Sequence, residues 1–102
     1  MKATPEALEA AHRLWEIANG FSGQCEVVAQ FLLGIYHGAA YPFDLTNFRR
    51  LDAKIFMDCM TVLAMDFNPE QEIHEQLGKT DSEFERLAKK WNINARERND
   101  KW

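Results

Sequence analysis

At 102 residues, with 46% apolar and 12% aromatic side chains, the sequence suits one folded domain and is too apolar for a disordered chain. Three prolines and five glycines are too few for an all-β chain, which turns about every 8–12 residues. The net charge is −4, and residues 1–88 carry seven Lys/Arg against fourteen Asp/Glu, so the body of the chain repels phosphate backbones and anionic membrane surfaces.

Thr4 and Pro5 have the form of an N-cap and first helical residue. Leu8, Ala11, Leu14, Trp15 and Ala18 follow at helical spacing, with Glu9, His12, Arg13 and Glu16 on the other side, and Gly20 closes the helix. Ser22 caps a second helix reaching about His37, before Gly38. Its apolar residues, Val27, Val28, Phe31, Leu32, Leu33, Ile35 and Tyr36, leave only a narrow polar strip of Glu26, Gln30 and His37. A helix so apolar around its circumference belongs at the centre of the domain, and Gly34 within it lets another helix approach closely.

Asp44 has the form of a cap for a short helix from about Leu45 to Leu51, with Phe43 and Phe48 spaced as a hydrophobic staple. Asp52 repeats the device with Leu51 and Phe56, opening a fourth helix from Ala53 to about Asp66. Ile55, Phe56, Cys59, Met60, Val62 and Leu63 are expected to face inward, with Lys54, Asp58, Thr61 and Met65 outward. Asn68 and Pro69, with Gln71 as a capping-box partner, predict a short fifth helix anchored by Ile73 and Leu77 and ended by Gly78. Thr80 to Glu83 is a full capping box before a last helix with Phe84, Leu87, Ala88 and Trp91 on its apolar stripe. The expected fold is all-α: a compact single-domain bundle of five to six helices around the central apolar helix, about residues 23–37. The helical domain is expected over 1–91, with residues 92–102 a basic, flexible tail.

Few residues point to chemistry. Gly20-Phe21-Ser22-Gly23-Gln24 fails the nucleophile-elbow pattern, since its second glycine comes one residue early and no strand precedes it; Ser22 as a helix cap explains the run. His12 lies among Glu9 and Glu16 on a polar face, and His37 sits in a last helical turn where the dipole favours a cation. His74 with Glu70 one turn earlier is the one pair that could begin a metal site, but neither Cys-x-x-Cys nor His-x-x-x-His supplies further ligands. Cys25 and Cys59 read as two buried, reduced thiols in apolar helices. No catalytic residue, cofactor or metal is expected, and the chain does not read as an enzyme.

The candidate surface is a partner-binding one. Met57 and Met65 on the fourth helix are expected to form an adaptable apolar patch, enlarged by Tyr41, Phe43 and Phe67 beside the short helix and flanked by the basic pair Arg49 and Arg50. It would take a protein partner or a second copy of the chain in a homodimer. The alternative is nucleic-acid binding through Arg49, Arg50, Lys54 and the basic tail; the helix carrying Lys54 also offers Asp58, which disfavours a major-groove role. The longest apolar run is Phe31-Leu32-Leu33, far short of a membrane span, and the N-terminal residues lack the apolar run of a signal peptide, so a cytoplasmic location is expected.

The runs Trp15-Glu16-Ile17-Ala18-Asn19-Gly20, Ser22-Gly23-Gln24-Cys25, Phe31-Leu32-Leu33-Gly34, Pro42-Phe43-Asp44-Leu45-Thr46 and Arg50-Leu51-Asp52 resemble a family of short uncharacterised proteins encoded on proteobacterial plasmids and integrative conjugative elements. The resemblance covers about residues 10–91. It implies a bacterial cytoplasm and a gene carried by a mobile element, and it brings no catalytic motif or cofactor.

Overall fold

The computed structural model describes residues 4–95. Five α-helices follow in order: α1 (Pro5–Ala18), α2 (Gly23–Tyr36), α3 (Ala53–Asp66), α4 (Ile73–Leu77) and α5 (Asp81–Lys90), with a 3-10 helix over Leu45–Arg50 between α2 and α3. No strand occurs among the described residues. The all-α, single-domain bundle expected from the sequence is what forms.

Local chemistry sets most of the helix starts. The Thr4 hydroxyl accepts from the Ala7 amide at 3.1 Å and Ser22 accepts from Cys25 at 3.3 Å, each satisfying one orphan donor of a first turn. Thr80 and Glu83 close a reciprocal capping box on α5. Asp44 caps the 3-10 helix, accepting from both the amide and the hydroxyl of Thr46.

Two starts differ from expectation. Asp52 makes no capping hydrogen bond in α3; its amide donates to Gln24 Oε1 at 2.6 Å and its carboxylate accepts from Gln24 Nε2 at 3.2 Å. The α3 start is thereby tied to the α2 start rather than to its own turn. The fifth helix begins at Ile73, not Pro69, because Glu72 and Glu75 form the capping box there, and 69–71 remain bent, irregular chain.

α2 is the centre. It packs against α1, the 3-10 helix, α3, α4 and α5, and buries Val27, Val28, Ala29, Phe31, Leu32 and Leu33. Each of the buried Val, Leu and Phe side chains contributes about 1.5–3 kcal/mol by leaving water. α1 lies against both α2 and α3, presenting buried Ala7, Ala10, Ala11 and Ala18, whose small side chains allow close helix contact. The approach to Gly34 is made by a loop and not by a helix: a methyl there would stand 3.3 Å from Phe43 Cβ and 3.3 Å from the Tyr41 carbonyl oxygen.

α5 is anchored at its end as well as its stripe. Trp91 Nε1 donates to the Ala18 carbonyl at 2.7 Å, bringing the end of α5 onto the end of α1. Asn92 takes the left-handed conformation (φ 55°) while the Ile93 amide reaches Ala88 O at 2.8 Å and the Asn92 amide reaches Lys89 O at 3.1 Å. That is a Schellman closure, and Ile93 packs back on the core. The packed chain therefore runs past residue 91, where loss of periodicity had suggested a flexible tail from 92. The rest of that expected tail, 96–102, lies outside the described residues.

Candidate functional site

The unusual element is α3. Its buried stripe is Cys59, Val62 and Met65, at steps of three residues. Its polar side chains do not lie opposite that stripe but beside it. Asp58 is half-buried against α1, where Arg13 donates to both its carboxylate oxygens at 2.9 Å. Lys54 and Thr61 are exposed along one edge, and next to them a sector of about 120° faces solvent, holding Ala53, Phe56, Met57, Met60, Leu63, Ala64 and, one residue past the helix, Phe67. No charged or polar side chain interrupts it. Phe67 is 85% exposed, Met57 59% and Leu63 44%, while Ala53 and Ala64 are exposed and Phe56 and Met60 half-buried.

Two of the sequence placements on this helix are thus reversed. Met65, expected outside as part of the partner patch, is 2% exposed and belongs to the core; Leu63, expected inside, faces water. The reason is rotation. With apolar residues on nearly every side of α3, the Arg13–Asp58 contact and the α1 packing choose which ones go in. Met57 is exposed as expected, but its companions are Leu63 and Phe67 rather than Met65.

The loop residues join this surface only indirectly. Tyr41 and Phe43 are half-buried, closing over Gly34. Phe43 packs on Phe31 and on Phe48 at 4.8 Å between ring centres, and Phe48 meets Phe56 edge-on at 5.4 Å, so an aromatic row leads from the core to the α3 strip. Arg49 and Arg50 are exposed and diverge: Arg49 helps hold the Asp44 carboxyl below its ordinary range, after the larger effect of the Thr46 hydrogen bonds, and the Arg50 guanidinium lies over Gly23 at the start of α2. Neither pairs with Asp52, and among the described residues no ion pair holds Arg49, Arg50 or Lys54.

Beside the strip, between α1 and α3, runs an apolar groove of about 550 Å³ lined by Arg13, Ile17, Ala53, Lys54, Ile55, Met57 and Asp58. Met57 is its boundary with the exposed strip. The opposite end of α3 is acidic. Asp66 ends the helix and Glu70 and Glu72 follow; burial, then the nearby Glu72 charge, push the Asp66 carboxyl up to about 6.

His74 does not pair with Glu70; its Nε2 faces Asp81 at 3.8 Å and its ring meets Tyr36 edge-on. Tyr36 donates to Asp81 at 2.6 Å and stacks on Phe84, and burial, with that hydrogen bond, pushes its phenol up to about 12. Among the described residues no group of three His, Cys, Asp or Glu side chains is arranged to hold a metal ion. Cys59 is buried and free, as expected. Cys25 is only half-buried: it sits in the first turn of α2, where burial raises its thiol but hydrogen bonds from the Ser22 hydroxyl and nearby backbone outweigh it and bring the thiol below its ordinary value. Phe21, 92% exposed, lies under the Lys90 ammonium at 4.2 Å.

Sequence reading places Phe67 with the patch but misses Leu63 as a surface residue. The signal was present, since a helical wheel of α3 shows one sector without a polar side chain. Nothing in that wheel says which sector meets the core.

No described helix is long and apolar enough to cross a membrane. No curated protein and no solved structure matches the chain. A family match does span residues 8–92, from within α1 to the Schellman residue Asn92, and on that extent the chain belongs to DUF7673, a family of unknown function.

Proposed function

We propose that this chain is a non-enzymatic interaction protein that docks a protein partner through the outward face of α3. A single observation carries the reading: the face of α3 turned away from its buried stripe holds no polar side chain and leaves Met57, Leu63 and Phe67 in water. Helices with apolar residues all round are normally buried, and contiguous exposed apolar surface marks a contact site. The partner it fits presents an apolar helical face of its own. The sequence resemblance supports a setting in a bacterial cytoplasm, with the protein serving a mobile genetic element as an accessory factor or a blunting agent against host defence. Nucleic-acid binding is less well supported by the geometry, because Arg49, Arg50 and Lys54 point to three different neighbourhoods.

A photo-crosslinking amino acid placed at Ala64, at Met57 or, as a control, at exposed Glu9 on α1 tests this in bacteria expressing the chain. The expected result is one saturable protein adduct from positions 57 and 64 and none from position 9. No adduct from the strip, or equal adducts from all three positions, would remove the proposal.

A further inference from the structure

We infer a second contact surface on this chain: the cleft between the end of α1 and α5 takes a short acidic segment of a partner protein. The cleft holds about 330 Å³ and is lined by Trp15, Asn19, Glu83, Arg86, Leu87 and Lys90, none of which belongs to the α3 face. The fold holds it in shape at two points. Trp15 rests on buried Phe84, at 4.9 Å between ring centres, and Trp91 donates to the Ala18 carbonyl at 2.7 Å.

Its charge is unlike that of the acidic body around it. Glu83 is the one carboxylate in the lining, and both its oxygens are engaged: Oε1 accepts from the Thr80 amide at 3.3 Å and Oε2 faces the Lys79 ammonium at 3.8 Å. Arg86 and Lys90 are exposed, and among the described residues no ion pair holds either. They stand one turn apart on α5, about 6 Å along one face. The Lys90 ammonium rests on rings instead, 4.2 Å from the centre of Phe21 and 5.1 Å from that of Trp91. A ring attracts a cation without neutralising it, so the charge stays available to an anion. Phe21 is 92% exposed, which sets an uncovered apolar surface beside that charge. The dipole of α5 accounts for Lys89 and Lys90 in its last turn, but not for Arg86 a turn earlier or for Phe21 in water.

Two cations at this spacing beside an open ring match a peptide with carboxylates a helical turn apart and an apolar side chain next to them. At physiological salt, charges are screened beyond about 8 Å, so this pair, and not the net charge of −4, sets the field in the cleft. A nucleic-acid strand fits less well. It carries a charge at every residue, and its further phosphates would pass the exposed carboxylates of Glu16 and Glu85, which adjoin Trp15 and Arg86 in the chain. A peptide brings charge only where the cations stand.

Fluorescence anisotropy on the full chain tests this with three labelled probes: a peptide repeating Glu-Leu-Phe-Glu, the same peptide with Lys for Glu, and oligothymidylate. The first should bind, more weakly as salt rises, and the other two should not. Arg86→Glu, Lys90→Glu and Phe21→Ser should each weaken that binding about tenfold with an unchanged circular dichroism spectrum, because all three side chains are exposed. Ala64→Glu, on the α3 face, should leave it unchanged. No binding of the acidic peptide by about 1 mM, equal binding of the lysine peptide, indifference to the three variants, or preference for oligothymidylate would each overturn this inference. So would loss of binding in Ala64→Glu alone, which would seat the peptide on α3 and leave the docking reading standing. Absence of crosslinks at Met57 and Ala64, conversely, removes docking on α3 and leaves this cleft untouched.

Discussion

Arg13 and Asp58 meet in a two-point ion pair across the α1–α3 contact, with Nε to Oδ2 and Nη2 to Oδ1 both at 2.9 Å. The forked geometry matches guanidinium to carboxylate at two atoms, so it fixes orientation as well as separation. The Asp58 side chain is 20% exposed and Arg13 54%, which makes this a clasp at the edge of the core. By holding Asp58 against α1, the pair fixes the side of α3 that faces inward and the apolar sector that stays in water.

Removing either partner should therefore loosen the rotational setting of α3. Arg13→Ala and Asp58→Ala are each expected to lower the urea midpoint, and the double variant should be no worse than the poorer single one. Additive losses in that double-mutant cycle would show that the two side chains act independently.

Phe84 is fully buried between Trp15, at 4.9 Å between ring centres, and Tyr36, at 4.6 Å. Phe84→Ala should cost about 3–5 kcal/mol by urea unfolding, since the transfer loss and the cavity left behind add. Phe84→Leu should recover a large part of that cost. Equal losses for both would mean that the ring contacts, and not the filled volume, hold α5 in place.

Asp66 gives stability a dependence on mildly acidic pH. Its carboxyl is raised from an ordinary 3.8 to about 6, by burial first and the Glu72 charge second. The folded state therefore binds the proton more tightly than the unfolded one. Its contribution opposes folding increasingly as pH rises from about 4 to about 6, and is relieved on acidification through the same window. The full shift is worth roughly 3 kcal/mol, but solvent screening at a group that keeps contact with water reduces this to about 1 kcal/mol. Asp66→Asn should stabilise the fold by about that amount at pH 7 and flatten its stability profile between about pH 4 and 6. An unchanged profile in thermal melts would contradict the assignment.

The two thiols should separate cleanly by reactivity. Burial pushes Cys59 up to about 12, leaving it un-ionised and covered at neutral pH. Cys25, half-buried in the first turn of α2, is held below its ordinary value by the Ser22 hydroxyl and backbone hydrogen bonds that outweigh its burial. Titration with an aromatic disulfide reagent should show one fast thiol in the native protein and a second only in denaturant. Ser22→Ala should slow the fast one and, by removing the α2 cap, cost about 1 kcal/mol. Two thiols reacting at the same native rate would be the contrary result.

How much of this was legible beforehand depends on the range over which each feature is decided. The caps at Thr4, Ser22, Asp44 and Thr80 involve partners two or three residues away, so spacing alone reveals them. α2 was recognisable as the central helix because its polar strip is too narrow to face water. Asn92 shows the limit of periodicity as a guide: it ends the helical pattern, yet its left-handed backbone turns Ile93 back onto the core. Asp52 and His74 have local partners at plausible spacing, but Gln24, 28 residues away, and Asp81, at the start of the next helix, take those places.

The order of residues by itself determined the helical class, the position of the central helix and most helix starts, because these follow from backbone hydrogen bonding within a turn. Tertiary structure alone decided the rotation of α3. Its apolar side chains offer several nearly equivalent faces to a core, and the choice was made by small alanines on α1 and by Arg13 reaching Asp58, 45 residues away. The same choice buried Met65 and left Leu63 and Phe67 in water, and so placed the surface on which the proposed function depends.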